Sequence, residues 1–156
     1  MTPAMLISIV GLVVSTLAVC GLYLQLSVQN KQRILDVLES YERRFNEILE
    51  ELLKVSHHVY DTGFTYRTLN DVDQRRVLEV EEKLFTFFFN KWLRAKKQKL
   101  LPTWVWNDWD KGIRSAMKYP FHREMWLIIK ERKAFMGFED FKTYIDSTTQ
   151  ATTQRT

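Results

Sequence analysis

The chain has 156 residues, enough for one modest domain and not two. Five Gly and three Pro exclude collagen-like and Pro/Gly-rich disordered classes, and a single Cys excludes an intramolecular disulfide framework or a cysteine-rich metal site. The net charge of +4 does not by itself imply nucleic acid, and the charge is uneven: none of the 23 basic and 19 acidic residues precedes Lys31.

Residues 4–24 read AMLISIVGLVVSTLAVCGLYL, 21 positions without a charge. As a helix this is roughly 31 Å long, against roughly 30 Å of bilayer hydrocarbon. The segment is therefore expected to be an uncleaved transmembrane helix, with residues 1–30 as anchor and flank. A cleaved signal peptide fits less well, because residues 1–5 carry no Lys or Arg. A lipoprotein signal would need a small residue before Cys20, and Val19 stands there. Lys31, Arg33, Arg43 and Arg44 follow the segment and none precedes it, so the positive-inside rule puts the N-terminus out and the body in the cytoplasm. Tyr23 sits where an interfacial aromatic would, and Gly11 and Gly21 are too far apart for a GxxxG face. A second span around 84–93 is interrupted by Lys91 and is too short.

Residues 31–146 are expected to form a helical domain, and the fold class is all-α. Ile34, Leu38, Tyr41, Phe45, Ile48, Leu52, Val55 and Val59 follow one another at steps of four and three, the 3.5 period of a coiled-coil seam. Leu35, Leu49, Leu53 and Tyr60 widen the stripe, which suits a helix inside a bundle; pairing between chains is the alternative. Leu38, Phe45, Ile48 and Leu52 are the candidate assembly seam. Without a break near Asn30, span and seam form one helix. Asp61-Thr62-Gly63 is expected to stop it, with Gly63 as a left-handed cap.

After a connection over 64–70, Asp71-Val72-Asp73-Gln74 resembles a capping box opening a helix that runs to about Lys99. Phe85, Phe87, Phe88 and Phe89 make the middle of that helix apolar almost all round. Thr103 is the expected N-cap of a third helix bearing Trp106, Trp109, Ile113 and Ala116. Pro120 opens a fourth with Met125, Trp126, Ile128 and Ile129, and Gly137 breaks it. Phe138, Phe141, Tyr144 and Ile145 mark a short last helix, and 147–156 is expected to be a disordered tail.

Reactive constellations are sparse. His57 or His58 could share a helix face with Asp61, but two ligands do not make a metal site, and His122 is remote in sequence. Cys20 lies in the lead segment, no Gly-x-Ser-x-Gly turn occurs, and the five glycines are too scattered for a phosphate loop. Glu50-Glu51 and Glu81-Glu82 are adjacent on helices, diverge by roughly 100°, and read as solvated. Neither an enzyme nor a cofactor is expected.

From Lys83 to Asn107 there is no acidic residue. Lys83, Lys91, Arg94, Lys96, Lys97 and Lys99 are interleaved there with four Phe and three Trp. A basic helix end complementing its own dipole is the simplest reading. Contact with anionic lipid, held near by the anchor, or with a partner through Lys91, Arg94, Lys96, Lys97 and Lys99 is the second. Nucleic acid is the third and has no accompanying motif. Trp104, Trp106 and Trp109 suggest an aromatic cage, although such spacing usually marks core.

The short lead span, the Glu/Arg-rich helix, Trp106-x-x-Trp109-x-x-x-Ile113, Pro120, Trp126 and Phe141-x-x-Tyr144-Ile145 together resemble small bacterial membrane-anchored proteins of unknown function. That resemblance implies a single-pass bacterial inner-membrane protein with a cytosolic helical domain, and brings no catalytic residues. The expected function is a membrane-anchored interaction or assembly protein, its partners being lipid and a second copy or another protein. A membrane-disrupting effector of the phage-defence type and a metal-dependent enzyme at His57/Asp61 are the alternatives. The heptad register yields a first prediction: Leu52→Asp lowers the melting temperature more than Glu51→Ala, because it puts a carboxylate on the apolar seam. Equal melting temperatures would overturn the register.

Overall fold

A computed structural model describes the backbone of residues 3–55, 59–61, 63–132 and 134–153, and the side chains of 15, 17–55, 59–61, 63–132 and 134–149. The elements in order are α1 (Pro3–Val55), a 3-10 turn (Tyr66–Thr68), α2 (Asp71–Trp92), a π turn (Leu93–Lys97), α3 (Thr103–Ala116), α4 (Pro120–Glu131) and α5 (Glu139–Thr153). No strand occurs among the described residues, in agreement with the all-α expectation. The chain divides into two units, Met1–Glu42 and Arg43–Thr156, and the division falls inside α1.

The first unit is helix alone. Leu17, Val19, Leu22, Tyr23, Leu24, Leu26 and Val28 are each at least 60 % exposed. At 100° per residue these positions surround the helix instead of forming one stripe. Among the described residues no helix is long and apolar enough to cross a membrane. The transmembrane helix expected over 4–24 gains no support there, and the side chains of 4–14 and of Thr16 lie outside the described residues.

The second unit has a packed core. α2 supplies Val77, Leu78, Val80, Leu84, Phe85, Phe87, Phe88 and Trp92, all buried on one wide face, while Glu79, Lys83 and Thr86 opposite them are exposed, so its middle is not apolar all round as expected. Ile48 and Leu52 of α1 are buried within this unit, and Phe45 stacks on Phe87 with ring centroids 5.7 Å apart. Phe45, Ile48 and Leu52 thus pack inside the chain, as a helix within a bundle would, rather than in the alternative of pairing between chains; Leu38 lies in the first unit and is half-buried. From the other helices, Trp126 meets Phe85 at 5.0 Å, and Phe141 meets Phe89, Phe135 and Trp92 at 5.2, 5.2 and 5.6 Å.

Polar side chains fix the ends. The Trp126 indole N–H donates to Asp146 at 2.8 Å, and Lys130 donates to the other oxygen of that carboxylate at 2.6 Å, tying α4 to α5. The Tyr144 hydroxyl donates to Asp110 at 2.7 Å, which ties α5 to α3. Burial and that bonded carboxylate both push the Tyr144 phenol well above its ordinary pKa.

Several local expectations shift. Asn70, not Asp71, caps α2: its side-chain oxygen accepts from the amides of Val72 and Asp73 at 3.1 and 3.0 Å. An Asn at this position satisfies two otherwise orphaned amides. Pro102 occupies the cap position of α3, one residue before the expected Thr103. Gly63 does not take positive φ; Lys99 (52°), Phe135 (59°) and Gly137 (82°) do. α5 runs to Thr153, where a disordered tail is expected from 147; residues 154–156 lie outside the described residues. Ser147, Thr148 and Thr149 return their hydroxyls to the carbonyls of Tyr144, Ile145 and Asp146 at 2.7 Å, so this polar stretch satisfies itself as a helix.

Candidate functional site

Three polar residues sit on apolar stripes, and the helical register puts them there. Glu81 follows Val77 by four and precedes Leu84 and Phe85 by three and four, so it shares the inward face of α2. His122 has the same relation to Met125 and Trp126 on α4. Packing α2 against α4 brings His122 Nδ1 to 2.9 Å from Glu81 Oε1, with side chains only 3 % and 0 % exposed. Around the imidazole stand the rings of Phe121 at 5.8 Å, Tyr60 at 6.1 Å and Tyr119 at 6.2 Å. Among the described residues, no donor reaches the second carboxylate oxygen, Glu81 Oε2. Burial, and then the nearby Glu81, raises the Tyr60 pKa.

This pair corrects two expectations. Glu81 is not solvated beside Glu82, because adjacent residues point to different faces and only Glu82 looks outward. His122 is remote from the other polar groups in sequence but not in space. The signal was present: each interrupts an otherwise apolar i, i+3, i+4 series. His57 and His58 lie outside the described residues, and among the described residues no group of three potential ligands gathers to hold a metal.

Lys91 is the third such residue, four positions after Phe87. Its ammonium lies over the rings of Phe87 at 4.3 Å, Trp109 at 4.7 Å and Phe45 at 5.6 Å. Three helices thus supply aromatic faces to one cation, whose aliphatic stem crosses apolar surface. Desolvation lowers its pKa from 10.5 to about 8.

The remaining basic residues divide. Lys83 pairs with Glu51 at 2.5 Å, Lys97 pairs with Asp140, and Lys96 lies 4.9 Å over the Trp106 ring. Arg94, Lys96, Lys97 and Lys99 are all exposed, whereas Lys91 is half-buried and turns to the rings. The three tryptophans do not form a cage: Trp106 is buried against Tyr144 at 5.6 Å, Trp109 faces Lys91, and Trp104 is 58 % exposed. A shallow cleft of about 320 Å³ beside Trp92 and Phe138 is bordered by the Lys97–Asp140 pair and gathers no nucleophile with a base.

Compared with family models, curated proteins and solved structures, the chain finds no match.

Two predictions follow from this geometry. His122→Leu leaves Glu81 buried without its partner and lowers stability by about 2–4 kcal/mol in urea unfolding. Combining it with Glu81→Leu recovers part of that loss; a double variant as unstable as the sum of the singles would show the contact to be worth nothing. The second concerns pH. Between about 8 and 10.5 the unfolded chain keeps a proton that folded Lys91 has released. Folding stability therefore gains from this group as pH rises through that window and is unaffected by it below. Relative to wild type, Lys91→Met removes that gain; parallel pH profiles for the two proteins would contradict the burial of the ammonium.

Proposed function

We propose that this chain is a single-span, membrane-anchored helical protein whose body serves in interaction or assembly. The observation that carries the reading is the uncharged stretch 4–24 within α1, continued by apolar side chains at 17–28 that the rest of the chain leaves uncovered on all sides. Water is a poor solvent for such a surface, and a groove in a partner would cover one side only. Lipid covers all sides, and helix satisfies the backbone within it. The basic flank from Lys31 keeps the body cytoplasmic and the N-terminus outside.

The assembly part rests on the heptad positions of the first unit. Ile34 and Leu38 continue the seam beyond the packed core, and Leu35 is 58 % exposed beside them. A second copy could supply the matching stripe.

Alkaline extraction of membranes from expressing cells tests the anchor. Wild type stays in the pellet, and Leu12→Arg with Val14→Arg moves it towards the supernatant, since each central Arg costs about 2.5–3.5 kcal/mol of insertion. Wild type in the supernatant would overturn the anchor. Crosslinking in the same membranes yields a dimer or larger adduct; a strictly monomeric chain without adducts would overturn assembly.

A further inference from the structure

The corner between the π turn and α3 carries a surface that the packing does not use. Leu100 is 65 % exposed and Trp104 is 58 % exposed, on either side of Pro102. Exposed Arg94 and Lys99 flank them. The corner has a defined shape: the Gln98 amide donates to the Leu93 carbonyl at 2.9 Å and the Leu100 amide to the Arg94 carbonyl at 3.0 Å. Lys99 adopts φ 52°, a left-handed conformation that ordinarily selects glycine at a helix end. A lysine there keeps a cation next to Leu100 at some conformational cost.

We infer that this corner docks on an anionic bilayer surface, with Leu100 and Trp104 entering the interface and Arg94 and Lys99 meeting lipid phosphates. Charge favours that occupant. No acidic residue occurs from Lys83 to Asn107, and Asp108, the next in sequence, pairs with Lys111 at 3.2 Å. Side-chain type favours it too. Indole at the headgroup level with an aliphatic side chain beside it is the pattern of an interfacial anchor. A single-strand binder needs several aromatic platforms, and here Trp106 and Trp109 turn inward while Leu100 cannot stack. The inference adds two apolar side chains to the expected lipid-contact residues and keeps Arg94 and Lys99 among them. It rests on the membrane reading above for the nearness of lipid.

An environment-sensitive fluorophore on the full chain in vesicles tests it. One sample carries the label at native Cys20; the other carries it at position 100, as Leu100→Cys with Cys20→Ala. Vesicles are phosphatidylcholine alone or mixed with anionic phosphatidylglycerol. The Cys20 label should shift to the blue in both, reporting the span. The label at position 100 should shift only with anionic lipid and revert in high salt. Lys99→Gln should lower the inserted-to-free ratio about fivefold, the equivalent of roughly 1 kcal/mol per basic residue near such a surface. Absence of a shift at position 100 in anionic vesicles, an equal shift in both lipids, or a shift on adding a single-stranded RNA without lipid would each overturn the inference. A shift at position 100 with none at Cys20 would remove the span and leave the docking corner standing.

Discussion

Helix α2 buries apolar side chains over roughly half of its circumference, and the body of the protein follows from the need to cover that wide face. One partner helix can cover a stripe of roughly 100°, so a helix with Leu84, Phe85, Phe87 and Phe88 all buried requires several. The C-terminal part of α1 takes one side through Phe45, Ile48 and Leu52. α4 takes another through Trp126, while Phe141 of α5 closes the end near Phe89 and Trp92. Edge-to-face and tilted ring contacts recur through this core, giving it directional preferences that an aliphatic core lacks.

Covering this wide face of α2 has a consequence for its polar residues. Glu81 and Lys91 lie on faces that must be buried, and each is accommodated by a different means. Glu81 pairs with the one imidazole that α4 can present, while Lys91 receives ring faces from three helices. Either arrangement favours one docking geometry over its neighbours, because a slip by a turn would strand a buried polar group. The two sites therefore bear on specificity of packing, and neither has the open access that a substrate would need.

Outside this closed core, the apolar side chains left exposed include those of α1 from Leu17 to Val28 and the corner at Leu100 and Trp104. These two surfaces belong to different units of the chain, and both are proposed to face lipid. The first is uncharged and apolar all round, which suits the hydrocarbon; the second is small and flanked by cations, which suits the headgroup region. The heptad seam illustrates how one repeat can be divided between tasks, with its later positions spent on the core and its earlier ones left to the first unit.

The order and type of the helices were legible in the sequence because apolar spacing of three and four residues is a local property, as were the start at Pro120 and a helix end before Pro102; the π turn over Leu93–Lys97 was not. Cap positions were legible only to within a residue, since Asn70 and Asp71 are equally competent and backbone geometry chooses between them. The reach of α5 was missed because hydroxyls that bond back to their own helix leave no apolar period behind. What tertiary structure alone decided is which helix faces meet. Glu81 and His122 are 41 positions apart and become a pair only when α2 packs on α4; Lys91 gains its rings, and Lys97 its Asp140, in the same way. Sequence fixes the direction each side chain leaves its own helix, whereas a contact between helices depends on the packing of both, which no local pattern encodes.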